Sequence, residues 1–194
     1  MTSATSNAIP AAKAPLIDTR ISAFLVFAVG FLIAIASGLA ADNADYARAK
    51  YTVWPMMALG GWTVALMLRY GFCARLDETA WRTWWAWGFL AYVVHLYWGF
   101  GIVFGWSFAA VYAGQGSLVA GANFTLLVLW GASVLASFAR WPARWLHILT
   151  ALFFAVSAMV ASIVFGRDIS PIGGAIILGI WLVALYLRQP EPKR

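Results

Sequence analysis

His95 is the residue of this chain best suited to chemistry inside an apolar segment. It lies near the middle of an uncharged run, Thr83–Gly105, with Trp81 just before the run, Trp84, Trp85 and Trp87 in its opening turns, and Tyr97, Trp98, Gly99 and Gly101 soon after the histidine. Charging an imidazole at membrane depth is costly, so the ring is expected to be neutral. One ring nitrogen is then open to accept a proton or bind a metal. Gly88, Ala91, His95 and Gly99 are three or four residues apart and share a helix face. The small residues leave room for a flat ring against the helix. Three roles follow: a cofactor ligand, a substrate contact or proton carrier, or a packed histidine bonded to a hydroxyl or amide of a neighbouring helix.

The Ala91-xxx-His95 spacing is similar to that of the helices that ligate bacteriochlorophyll in light-harvesting polypeptides. His147 is the second histidine and a weaker metal-ligand candidate. It opens a later apolar run, where an interfacial position near lipid headgroups is expected. A haem held by both histidines requires them at one depth. Counting at about 1.5 Å per residue places them roughly 10–15 Å apart along the membrane normal, against that pairing.

Trp62, Trp98, Trp130 and Trp181 fall near the middle of four different apolar runs. Facing inward, they would wall an aromatic chamber with Tyr92, Tyr97 and His95, suited to a quinone, a porphyrin, a carotenoid or an aromatic vitamin. The alternative is that these rings fill space in a Gly- and Ala-rich bundle or face lipid. Asn123 lies inside an apolar run, where an interhelical hydrogen bond or a ligand contact would satisfy it. The candidate pocket is therefore His95, Tyr97, Trp98, Asn123, Trp62 and Trp130. A haem or a quinone is its possible cofactor, alongside none.

Other chemistry has little to work with. Asp18, Asp42, Asp45, Asp77, Glu78, Asp168 and Glu191 all lie in tails or connections. Proton-driven transporters commonly carry a carboxylate at membrane depth. No GxSxG, HExxH or P-loop motif is present. Cys73 is the single cysteine, which excludes an internal disulfide. Cys73, Asp77 and Glu78 in one connection are the residues a lipid-modifying enzyme would have to use, and they read more simply as a solvated loop. An enzyme is not the expectation.

The elements that position these residues are membrane spans. Of 194 residues, 63% are hydrophobic and 10% charged, whereas a soluble domain carries about a quarter charged residues. The pattern predicts an all-α bundle of six transmembrane helices with short loops. The spans are Ile21–Ala40, Tyr51–Tyr70, Thr83–Gly105, Leu118–Phe138, Trp145–Phe165 and Pro171–Leu187. Residues 1–20 read as a flexible tail, 21–187 as the membrane domain and 188–194 as a charged tail. The first apolar run is long for a signal core and its flank is not strongly basic, so it is expected to be retained. Gly30, Ala34 and Gly38 make a small-residue stripe on span 1, and Gly101 and Gly105 a GxxxG pair late in span 3. Pro55 sits in the first turn of span 2, where its missing N–H costs little.

The net charge is +6, and the basic residues fall between spans, where topology rather than nucleic acid explains them. With six spans, ten Lys and Arg share one side with both termini and three lie on the other. That bias predicts an inner-membrane protein with both termini cytoplasmic. Trp81, Trp84, Trp85, Trp87, Trp141 and Trp145 would form the inner aromatic belt, and Trp54 and Trp106 part of the outer one.

Three functions fit. The first is a non-catalytic accessory or anchor subunit of a larger membrane assembly, its small-residue stripes packing on partner helices or on a second copy. The second is a binding or uptake component for a small vitamin-like or aromatic molecule. Six spans in about 190 residues with both termini inside resemble the substrate-capture subunits of energy-coupling-factor vitamin transporters, which implies an ATPase partner. The third is a redox membrane protein holding a haem or quinone through His95.

Overall fold

The computed structural model describes residues 18–71, 80–164 and 170–188. Among them every regular element is helical. Helix α1 spans Thr19–Leu39, α2 Ala44–Tyr51 and α3 Val53–Tyr70. Helix α4 spans Trp81–Leu96 and continues as a π-helical segment, Tyr97–Val103. Helix α5 is Phe108–Gln115 and α6 is Ser117–Phe138. Helix α7, Arg144–Met159, also ends in a π segment, Val160–Val164, and α8 is Ser170–Tyr186. Cys73, Asp77, Glu78, Asp168 and Glu191 lie outside the described residues.

Five helical segments among the described residues are long and apolar enough to cross a membrane: Thr19–Leu39, Ala44–Tyr70, Trp81–Val103, Ser117–Phe138 and Arg144–Val164. Helix α8 is apolar but shorter, at 17 residues. Large apolar side chains point outward along the bundle. Leu32 is 67% exposed, Val128 69% and Leu135 73%, so the outer surface is compatible with lipid.

The segment Ala41–Lys50, expected as a polar connection, is mostly helix α2. Its composition conceals it: the run carries charges and lacks an apolar stripe. Local chemistry makes it helical. The Asn43 side chain accepts the Tyr46 N–H at 3.0 Å, Asp45 sits in the first turn, and Arg48 and Lys50 sit in the last. Only Thr52 separates α2 from α3. Pro55 explains the break, because it cannot donate to the Tyr51 carbonyl and its ring crowds that group. The uncharged connection before span 4 likewise contains a helix, α5, capped by Ser107 Oγ accepting the Ala110 N–H at 3.2 Å and ended by Gly116 at φ +80°.

The small residues of α1 are used inside the chain. A Cβ on Gly30 would lie 2.8 Å from the Pro55 side chain, and one on Gly38 would lie 2.8 Å from the Arg48 side chain. Ala34 between them is buried. This stripe brings α1 against α2 and the start of α3. Gly101 and Gly105 do not form a helix-packing pair: Gly101 is covered by the Trp106 ring, and Gly105 has left the helix at φ +59°.

Helices α3, α4, α6 and α7 meet in an aromatic core built around glycines. Trp85 and Trp130 have centroids 4.5 Å apart, and Phe154 lies edge-on to Trp130 at 4.9 Å. All three are fully buried. Gly60 on α3 and Gly88 on α4 provide the space, since a Cβ on either would fall within 3 Å of these rings. Trp81, Trp85, Gly88 and Tyr92 are the buried stripe of α4. Trp81 and Trp85 are thus core residues rather than parts of an aromatic belt. Their spacing of four turns both inward. Trp141 and Trp145, 70% and 81% exposed, remain on the surface.

Candidate functional site

The expected chamber of four tryptophans is not formed, because helix rotation sends them to different places. Trp130 is packed in the core against Trp85, Tyr92 and Phe154. Trp181 on α8 donates its indole N–H to the Gly61 carbonyl at 2.8 Å. Trp62, the next residue along α3, points outward, 45% exposed, beside Trp84. Trp98 lies under the Arg48 guanidinium, 5.3 Å from its ring centroid. Tyr97 is exposed and meets Trp98 and Trp106 edge-on.

Two of the candidates do come together. His95 and Asn123 both line an open cavity of about 330 Å³ at the end of the bundle where α2 and α5 lie. Helix α2 contributes Tyr46, Ala49 and Lys50. Helix α4 and its π segment contribute His95, Leu96, Gly99, Phe100 and Val103, followed by Phe104. Val111, Gly114 and Gln115 come from α5, and Asn123 and Phe124 from α6. His95, Gly99 and Val103 recur every four residues along one side. The π segment continues that side past the end of α4, a geometry often found at functional sites.

The cavity has a polar rim and aromatic walls. Asn123 Nδ2 donates to Gln115 Oε1 at 3.2 Å, joining α6 to α5. The Tyr92 hydroxyl donates to the Asn123 backbone carbonyl at 2.6 Å. Tyr92 stacks near His95 on one side and on Trp130 on the other, at 6.4 and 5.7 Å between centroids. Phe124 meets Phe100 edge-on at 5.4 Å.

His95 itself is tied to α2 and α3. Its Nδ1 lies 3.2 Å from Thr52 Oγ1. Thr52 Oγ1 is also 3.1 Å from the Ala49 carbonyl, which can only accept, so with the hydroxyl proton given there Oγ1 accepts from the imidazole. The Ala49 backbone also bonds the ring. In that arrangement the proton of the neutral imidazole sits on Nδ1 and the Nε2 lone pair is bare.

His147 occupies a different site. Its Nδ1 lies 2.8 Å from Ser133 Oγ, which also takes the Trp85 indole N–H at 2.9 Å, and Trp81 packs edge-on against the ring at 5.2 Å. Ser133 is fully buried, so no substrate reaches this hydroxyl. The trio ties α4, α6 and α7 together. Trp85 and His95 are ten residues apart on α4, about 15 Å along its axis. The two imidazoles therefore serve opposite ends of the helix and do not face one ring.

Sequence reasoning missed Thr52, Tyr46, Lys50, Gln115 and the three phenylalanines. The cap residues Asn43 and Ser107 were the available signals, because they mark the two short helices that carry much of the wall. Among the described residues no group of three His, Cys, Asp or Glu is placed to hold a metal ion.

Together these elements define an all-helical bundle compatible with a membrane protein, with one cavity that gathers His95 and Asn123. No protein-family model matches the chain, and neither do the curated proteins or the solved structures with which it was compared.

Proposed function

We propose that this chain is a multi-pass inner-membrane protein that binds a small amphipathic molecule in the His95 cavity, as a non-catalytic binding or uptake component. The observation that carries the reading is the cavity itself: aromatic walls with a few convergent polar groups are the usual composition of a small-molecule site. Six spans with both termini cytoplasmic place its mouth on the outer side, where a captured molecule would arrive. The accessory-subunit reading draws less support, since the stripe of α1 that would receive a partner helix is filled by α2 and α3. A partner that moves or uses the molecule, or a second copy of the chain, remains part of the proposal.

The test is purification in mild detergent with mass spectrometry of an organic extract, an absorption spectrum before and after reduction, and identification of companion proteins. Val103→Trp, at a part-exposed wall position, is expected to lose a molecule that the wild type retains. A Soret band shifting on reduction would instead establish the haem reading. An extract indistinguishable between wild type and Val103→Trp, with a stoichiometric companion subunit, would establish the accessory reading.

A further inference from the structure

The cavity's hydrogen-bonding pattern narrows the ligand class, an inference that rests on the binding role proposed above. His95 Nδ1 is committed to Thr52. Among the described residues Nδ1 is the ring nitrogen with a side-chain partner, and Nε2 is not among the buried unpaired atoms, so it is accessible. It presents a lone pair, which attracts a donor and repels a bare carbonyl or carboxylate oxygen. Elsewhere on the cavity lining, the Asn123–Gln115 amide pair provides donors for an oxygen acceptor. Phe100 and Phe124 provide flat apolar wall.

We infer that the cavity holds a hydroxylated aromatic ring, a phenol or hydroquinone headgroup, whose O–H donates to His95 Nε2. Thr52 is the positioning residue that keeps that nitrogen bare. The headgroup comes either on a free phenol or on a lipid carrying an apolar tail.

The experiment uses full-length protein in phosphatidylcholine nanodiscs, titrated anaerobically by calorimetry with trimethylhydroquinone and with its dimethyl ether. The ether keeps the ring and loses the donors. The hydroquinone is expected to bind at least about tenfold more tightly, the scale of one buried hydrogen bond. His95→Phe should erase the difference, His95→Gln, which restores an acceptor, should recover part of it, and Val103→Trp should abolish binding of both. Melting curves of each variant report folding. Equal binding of the two probes, or a preference that survives in His95→Phe, overturns the ligand class. If neither probe binds but the extract holds another molecule that Val103→Trp loses, the ligand class falls and the cavity stands. If nothing binds and nothing is lost, both readings fall. The mass of an extracted phenol distinguishes a tailed lipid from a free compound.

Discussion

Ser133 Oγ lies 2.8 Å from His147 Nδ1, deep between α6 and α7. The same oxygen accepts the Trp85 N–H from α4. One hydroxyl therefore satisfies groups on two other helices where little water is available to replace it. A serine beside a histidine suggests a nucleophile, but burial makes this pair a structural tie. Ser133→Ala should destabilise the protein by about 1–3 kcal/mol, because two buried polar groups lose their partner. The check is chemical unfolding in detergent. The loss should shrink in a His147→Phe background, since the residues share one network.

The glycines of the core make a second, separable prediction. A Cβ on Gly60 would meet Phe154 at 2.6 Å, and one on Gly88 would meet Trp130 at 2.9 Å with the Gly60 backbone nitrogen at 3.2 Å. Gly60→Ala and Gly88→Ala should each cost about 1–3 kcal/mol, as overpacked cores do. Gly121, also within a helix, has nothing within 4 Å of the same position. Gly121→Ala should be neutral or stabilising by up to about 1 kcal/mol through helix propensity. Comparing the three melting curves separates contact from composition.

The contrast between these glycines shows what a sequence can and cannot disclose. Long apolar runs with few charges reveal the long helices, five of which among the described residues are apolar enough to cross a membrane. Pro55 and the bounds of the expected spans correspond closely to helix positions. Helix α2 is hidden, since its residues read as a polar loop and only the Asn43 cap marks it. Rotation about each helix axis is hidden too. It decides that Trp130 is core and Trp62 surface, and it depends on which helices are neighbours. His95 and Asn123 stand out as polar residues in apolar runs. Their meeting at one cavity does not, because it requires α2 and α5 to close the end of the bundle.

A third prediction uses the fact that the chain holds only two histidines. At His95 the acceptor character of Thr52 puts the proton on Nδ1. At His147 the order is reversed. Trp85 can only donate, so Ser133 accepts there; with the serine's own proton given to His147 Nδ1, the ring proton sits on Nε2. Nitrogen-15 spectra of histidine-labelled protein should show two neutral rings of opposite tautomer. His95→Gln and His147→Asn assign the signals. Thr52→Val should disturb the first ring alone, and Ser133→Ala the second alone. A His95 ring that carries its proton on Nε2 would remove the basis for a bare Nε2 in the cavity.

The last prediction concerns which way the cavity faces, and it turns on α8. At 17 residues the helix extends about 25 Å, slightly short of a hydrocarbon core of about 30 Å. It contains no charged residue, and Arg188 follows one residue beyond its last turn, where a long side chain reaches the headgroups. Trp181 and Gly174 on α8 pack against α3 and the π segment after α7, so it is held in the bundle rather than laid across it. If it crosses, the termini share a side, and the excess of Lys and Arg there makes that side cytoplasmic. A C-terminal alkaline phosphatase fusion should then be inactive and a C-terminal green fluorescent protein fusion fluorescent. In a Cys73→Ser background, a cysteine at Gly116 should react with an impermeant maleimide added to intact cells, and one at Arg140 should not. An active phosphatase with the same Gly116 labelling would leave five spans and place the C-terminus outside. Reversed labelling at Gly116 and Arg140 would turn the cavity toward the cytoplasm and exclude capture from outside.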